Sequence, residues 1–271
     1  MTSISNLPQE LVGKIVDELR GDVPSLRTCA LISPVFLPWT RQHLFSSVRL
    51  TARNLFAFRA LVTSSPAAAS YIRRLDIPME TYHPPSTLSP DTFAQLPHVT
   101  HLVAHSDPSG FWHLSPVEER ALAGAAQRLT TVHLLIDRLW ALPLWATLLD
   151  GCPALSALGV HAESNGWSAA EVAIAMPPAT KTEVPCLNTL RVSGDVKILI
   201  PLAAWLLPRR ALDALQKLTL DVLYLRDDYD TLDRDSRPPL VRAAAASLHE
   251  LTLHLDPRAS HSLLAVFVSR V

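Results

Sequence analysis

The stretch "LTTVHL", residues 129–134, carries apolar side chains at its first, fourth and sixth positions. The same arrangement occurs on both sides of it. Upstream stand "IRRLDI" at 72–77 and "VTHLVA" at 99–104; downstream stand "LSALGV" at 155–160, "LNTLRV" at 187–192, "LQKLTL" at 215–220 and "LHELTL" at 248–253. The central apolar residues are Leu75, Leu102, Val132, Leu158, Leu190, Leu218 and Leu251, separated by 26 to 33 residues. One such hexapeptide arises readily by chance. Seven at near-regular spacing define an internal repeat. Each is too short to be stable alone, so the copies are expected to stack side by side as strands of one parallel sheet.

The template resembles that of leucine-rich repeats, at a period slightly longer than usual. The segments between copies carry helical patterns, at 115–126, 139–151 and 237–247. Ser115 before Pro116, with Glu118 and Glu119 following, reads as a helix start, and Gly151 as a helix stop. Alternating strand and helix predicts a curved α/β solenoid with a parallel sheet over residues 49–271. Common repeats place Asn three residues past the template, where its amide links neighbouring turns. Here the slot holds Glu80, Asp107, Asp137, Glu163, Asp195, Leu223 and Asp256. Carboxylates accept backbone N–H groups but cannot donate, so turns less regular than an Asn ladder are expected. A row of metal-binding or catalytic acids is the functional alternative, but turn chemistry produces one acid per repeat without it.

Of the 271 residues, 48% are apolar and 18% charged, the profile of a folded chain. Net charge is −1, which offers no electrostatic grip on nucleic acid or an anionic membrane. Eight Gly against 22 Pro, with neither GxGxxG nor GxxxxGK, argue against a phosphate-cradling loop. Cys29, Cys152 and Cys186 lie far apart and read as reduced thiols of a cytoplasmic or nuclear protein. The start "MTSISN" has no signal-peptide character. The apolar runs "LWALPLWATLL" and "ILIPLAAWLLP" are too short for a bilayer.

Ahead of the repeats, "LPQELVGKIVDEL" (7–19) places Leu7, Leu11, Ile15 and Leu19 on one helical stripe, which Val12 and Val16 widen. Asp22 and Pro24 open a second helix. Ser33 and the Pro34–Pro38 segment separate it from a third, ending near Phe45. Three helices in so few residues bury little core. Their apolar surplus is expected to be covered by the solenoid, by a partner, or by both.

The run Leu7-Pro8-x-Glu10-Leu11, then Ile15, Leu19, Leu26, Cys29, Ile32-Ser33, Phe36, Trp39 and Leu44-Phe45, resembles an F-box. It is similar to the F-box-like domains of large fungal families with irregular leucine-rich C-terminal regions. "HLFSSVRL" running into the first β-like segment fits them too. Phe36 stands where many F-boxes have Trp, and Pro38 requires the third helix to begin close to it. The resemblance implies a three-helix F-box-like module over 1–48. It implies docking on a Skp adaptor, and through it a cullin, with Leu7, Pro8, Leu11 and Ile15 facing the adaptor. Leu19, Leu26, Cys29 and Ile32 are then internal. It further implies that the repeats hold a protein target for ubiquitination, and that the chain is no enzyme. The alternative is a leucine-rich binding scaffold outside ubiquitination, its helices only capping the solenoid.

Other chemistry is thinly supported. His98, His101 and His105 suggest a metal site, yet His101 and His105 on one strand lie about 13 Å apart, too far to share an ion. No GxSxG elbow or assignable triad is present, and no cofactor or metal is expected. Positions three, five and seven of each copy point away from the core and collect His101, His105, His133, His161 and His254 with Arg74, Arg191 and Lys217. Half-exposed strands accommodate imidazoles without any partner. The functional reading of this face is a target surface centred on His101, His133, His161 and Arg191.

Overall fold

The computed structural model describes residues 7–51, 53–77, 92–93, 95–105, 124–136, 142–163, 186–195, 198–224 and 239–255. The fold is α/β: N-terminal helices lead into one eight-stranded parallel sheet whose strands lie in chain order. The strands are β1 (Ser47–Arg49), β2 (Arg74–Ile77), β3 (His101–His105), β4 (Thr131–Ile136), β5 (Ala157–Ala162), β6 (Thr189–Asp195), β7 (Lys217–Tyr224) and β8 (Glu250–Leu255). All seven template copies became strands, each beginning at the third template position. β1 is an eighth strand without the template.

The central template residues pair one to one across the sheet. Val48 opposes Leu75, and the row continues through Leu102, Val132, Leu158, Leu190 and Leu218 to Leu251. Template positions one and six are apolar for the same reason. From Ile72 to Leu220 they are buried with the central row in one continuous core. A one-residue slip would turn this entire set to the opposite face, so the register is strongly specified.

Backbone geometry reinforces that register at the second template position. The carbonyls of Arg73, Thr100, Thr130, Ser156, Asn188 and Gln216 each accept two consecutive N–H groups from the following unit, at 2.8 to 3.1 Å. Ser156 and Thr130 add their hydroxyls to the preceding carbonyl in that series, at 3.1 and 3.3 Å. The acid slot contributes less. Glu163 is exposed and Asp195 sits where the β6–β7 register shifts; Glu80, Asp107, Asp137 and Asp256 lie outside the described residues.

The connecting helices cover the apolar face of the sheet. The segment expected at 139–151 forms a helix over Leu142–Asp150, with the Gly151 N–H turning back to Leu148 at 2.9 Å. "ILIPLAAWLLP" supplies the helix Leu199–Leu206, and the segment at 237–247 the helix Pro239–Ala244. Of the helix expected at 115–126, only 124–126 is described, and it is helical. Trp145 and Trp205 are fully buried in this layer. Among the described residues no helix is long and apolar enough to cross a membrane.

The N-terminal helices are α1 (Gln9–Glu18), α2 (Val23–Ile32) and α3 (Leu37–Ser46), with a 3-10 turn at Pro34–Phe36. Asp22 caps α2 by accepting the Ser25 N–H at 3.2 Å, and Pro24 lies in its first turn. Pro38 is tolerated because it lies in the first turn of α3, where its missing N–H has no helical acceptor to lose. These helices build a separate small core of Val12, Val16, Leu26 and Phe36, with Leu19, Cys29, Val35, Trp39 and Leu44 against it. The end of α3 runs directly into β1, so position 48, the expected end of the helical module, falls inside that strand.

Candidate functional site

Two surfaces carry the candidate residues. On α1, successive residues are rotated by about 100°. Val12 and Val16 form the centre of the buried stripe, and Ile15 and Leu11 stand about 60° and 100° to one side of Val12. The expected order is thereby reversed: the valines, read as widening the stripe, are fully buried, whereas Leu11 and Ile15 are each 46% exposed. Leu7 and Pro8 are exposed as well. The four residues expected to face an adaptor therefore lie at the surface.

The inward side of α1 is held close by Gly13. A Cβ there would meet the Trp39 ring at 3.1 Å, so glycine lets the α1 backbone approach α3. Leu26 is buried and Leu19 and Cys29 are half-buried, as an internal role requires. Ile32 corrects the reading: it is exposed, not internal. It lies about 120° round α2 from Leu26, on the side away from the core. Its neighbour Leu31 is 88% exposed.

The second surface is the sheet face opposite the leucine rows. All four residues expected there, His101, His133, His161 and Arg191, occupy it. They do not form a single line. His101 belongs to the row that runs from Arg74 through Thr131 to Lys217; His133 and Arg191 share the next row with Gly159 between them; His161 lies in the third. The histidines are half-buried and Arg191 is exposed. Val103, also on this face, is buried, so the surface is not uniformly open.

Most charges here are already paired. His105 Nε2 lies 3.0 Å from Asp76, Arg191 lies 3.7 Å from Asp221, Lys217 lies 2.8 Å from Glu250, and His161 lies 3.6 Å from Glu163. His161 Nδ1 also meets the Ser193 hydroxyl at 2.9 Å, and His101 Nδ1 meets that of Thr100 at 2.9 Å. His133 and Arg74 have no hydrogen-bond or ion-pair partner among the described residues. Burial, then the charge of Arg74, pulls the His101 pKa below its ordinary value. The same causes, with Arg191 and His101 added, lower that of His133. Both imidazoles are therefore held neutral near pH 7.

Sequence reasoning missed the role of Gly159. A Cβ at this position would overlap the His133 Nδ1, because the imidazole lies across the strand where a side chain would stand. The lone Gly among the fifth template positions was the available signal. A buried ion pair was missed too: Arg209 Nη2 contacts Asp150 Oδ2 at 3.2 Å, while the guanidinium stacks 4.9 Å from the Trp205 ring centroid.

Cys152 is buried with its thiol on the Leu148 carbonyl, and burial, aided by Asp150, pushes its pKa up to about 12. That suits a structural role and not a nucleophile. All three cysteines are free thiols. Among the described residues no group of three or more His, Cys, Asp or Glu is placed to hold a metal ion. No protein-family model matches the chain, and no curated protein matches it in sequence.

Proposed function

We propose that the chain is the target-recruiting, F-box-like subunit of a Skp–cullin–F-box ubiquitin ligase. On this reading the helices of residues 1–48 dock on the Skp adaptor through Leu7, Pro8, Leu11 and Ile15, and the leucine-rich solenoid of 49–271 presents its open strand face to a protein target. The subunit acts by proximity, raising the local concentration of the target at the ligase. The observation that carries the reading is the division of α1. Its valines fill a private core shared with Leu26 and Phe36, and its Leu11 and Ile15 stay at the surface beside Leu7. A helix that served only to cover the sheet would turn its larger apolar side chains toward the sheet.

The test is co-elution of the purified chain with a Skp adaptor, repeated with Leu11→Asp. Loss of co-elution is expected, since a carboxylate desolvated at the interface without a partner costs several kcal/mol, on the order of a hundredfold or more in affinity. Unchanged circular dichroism is expected because Leu11 lies outside the core. Co-elution of the variant equal to the parent chain would sink the assignment.

One observation favours the capping alternative. α3 packs on the short helix Pro66–Ala69 and continues into β1, which pairs with β2. α3 thus joins the helices to the first edge of the sheet. Absence of any adaptor binding by the parent chain leaves the scaffold reading.

A further inference from the structure

The last described strand is β8, and among the described residues it pairs with β7 alone. Its core-facing side is unfinished. Leu218 and Leu220 on β7 are each 1% exposed, whereas their register partners Leu251 and Leu253 are only half-buried. Backbone groups are left over as well. Alternate residues of a parallel strand bond to alternate neighbours. The Glu250 N–H goes to the Gln216 carbonyl at 2.9 Å, on the β7 side. Thr252 and His254 face β7 with it, so Leu251 and Leu253 turn their N–H and C=O groups to the open edge.

Edge strands are usually blunted by shortness, Lys, Pro or a bulge. β1, at the other edge, is three residues long and ends on the exposed Arg49. β8 runs for six residues, Glu250–Leu255, contains neither Pro nor Lys, and keeps an unbroken register with β7. Its sequence is also self-complementary. Residues 250–254, E-L-T-L-H, are symmetric about Thr252: a leucine on either side, then an acid at one end and an imidazole at the other.

We propose that β8 pairs antiparallel with β8 of a second copy of this chain, about a twofold axis through Thr252, joining the two sheets into one. In this register Leu251 opposes the partner's Leu253 on the core side, and Leu253 opposes the partner's Leu251. These are hydrogen-bonded pairs, because both leucines turn their backbone groups to the edge. Thr252 meets its own counterpart on the axis, and Glu250 meets the partner's His254, at the closer non-hydrogen-bonded positions. Thr–Thr and opposite-charge pairs are favourable there. The imidazole donates an N–H to that carboxylate in either protonation state. The pattern continues inward on both sides, since Lys217 contacts Glu250 at 2.8 Å and Asp221 is the register partner of His254. The row across the interface is then Lys217, Glu250, the partner's His254 and the partner's Asp221, basic and acidic groups in alternation. Centring the axis on Leu251 or Leu253 instead sets Thr252 against Glu250 or His254 and loses both Glu–His pairs. A patch that meets its own copy closes as a dimer and grows no further. This pairing uses no residue of the helical module, so it stands or falls apart from the ligase reading.

The experiment uses the full chain. One strand edge makes an interface of the small, reversible class, so sedimentation velocity is run from about 1 to 200 µM. A monomer–dimer equilibrium with no larger species is expected. Glu250→Lys sets an ammonium against the imidazole, and His254→Glu sets two carboxylates together; each should weaken self-association about fivefold or more. An equimolar mixture of the two variants should recover the dimer. In the mixed pair the new lysine meets the new glutamate, and the native Glu250 meets the native His254. A fault within either monomer would not be undone by mixing. Thr252→Cys lies on the axis and should cross-link under mild oxidation; His254→Cys sits about 13 Å from its counterpart and should not. The parent chain, with its own free thiols, sets the background. A chain monomeric throughout this range, as when a later segment of the same chain covers the edge, overturns the proposal. So do species larger than a dimer, equal cross-linking of the two cysteine variants, or a mixture that associates no better than its components.

Discussion

The helical module and the sheet use apolar residues in opposite ways. In the sheet, a continuous core runs from Leu50 to Ala244, and every template leucine from β2 to β7 is buried against its neighbours. In the module, four residues are buried together while Leu11, Ile15, Leu31 and Ile32 stay exposed. A stacked array satisfies itself because each unit supplies the surface the next unit needs. Three short helices have too little volume to enclose all their apolar side chains, so some apolar surface stays exposed. Stability should therefore be concentrated in the sheet.

The largest effect should come from the ion pair beneath the sheet. Asp150 ends the helix between β4 and β5, and Arg209 follows the helix between β6 and β7, so the pair ties two crossover segments together. Asp150→Ala strands a buried guanidinium and should cost about 3–5 kcal/mol in urea denaturation. Adding Arg209→Met should recover much of the loss. A cost below about 1 kcal/mol would show that the sheet's stability does not run through this contact.

Leu158→Ala, in the centre of the leucine row, should cost about 2–5 kcal/mol by the same measurement. The row continues on both sides, so the cavity has little freedom to collapse. Leu11→Ala is its counterpart in the module and should cost less than about 1 kcal/mol, because much of that side chain is already wet. Equal costs for the two leucines would break the comparison. They would mean that the exposed face of α1 is structural.

A smaller effect should appear on acidification. His101 and His133 have pKa values lowered from their ordinary 6.5, chiefly by burial. The unfolded chain therefore takes up protons first as pH falls. Their contribution is intact above about pH 6.5, is lost progressively below it, and levels off once the folded-state pKa is passed. Denaturation midpoints across this range should decline less in His133→Gln than in the parent chain. An identical decline would place the pH sensitivity elsewhere.

The parallel sheet, its strand positions and the face bearing His101, His133, His161 and Arg191 were all legible in one dimension. The period-two alternation decides which side chains go inward, and the repeat supplies seven independent readings of it. The helix starts at Asp22–Pro24 and near Pro38 were legible because capping and proline chemistry are local. Four things required the folded chain. The sides of α1 could not be ranked from its own stripe, since Val12 and Val16 are buried only because Leu26 and Phe36 arrive there. Ile32 followed the apolar pattern of α2 yet points outward, because where α3 packs decides which side of α2 is covered. The seat of His133 over Gly159, and the meeting of Asp150 with Arg209, depend on residues 26 and 59 positions apart in the chain. Local pattern specifies each strand and helix; contacts between residues far apart in sequence form only when the units stack, and they decide which apolar surface is spent and which remains.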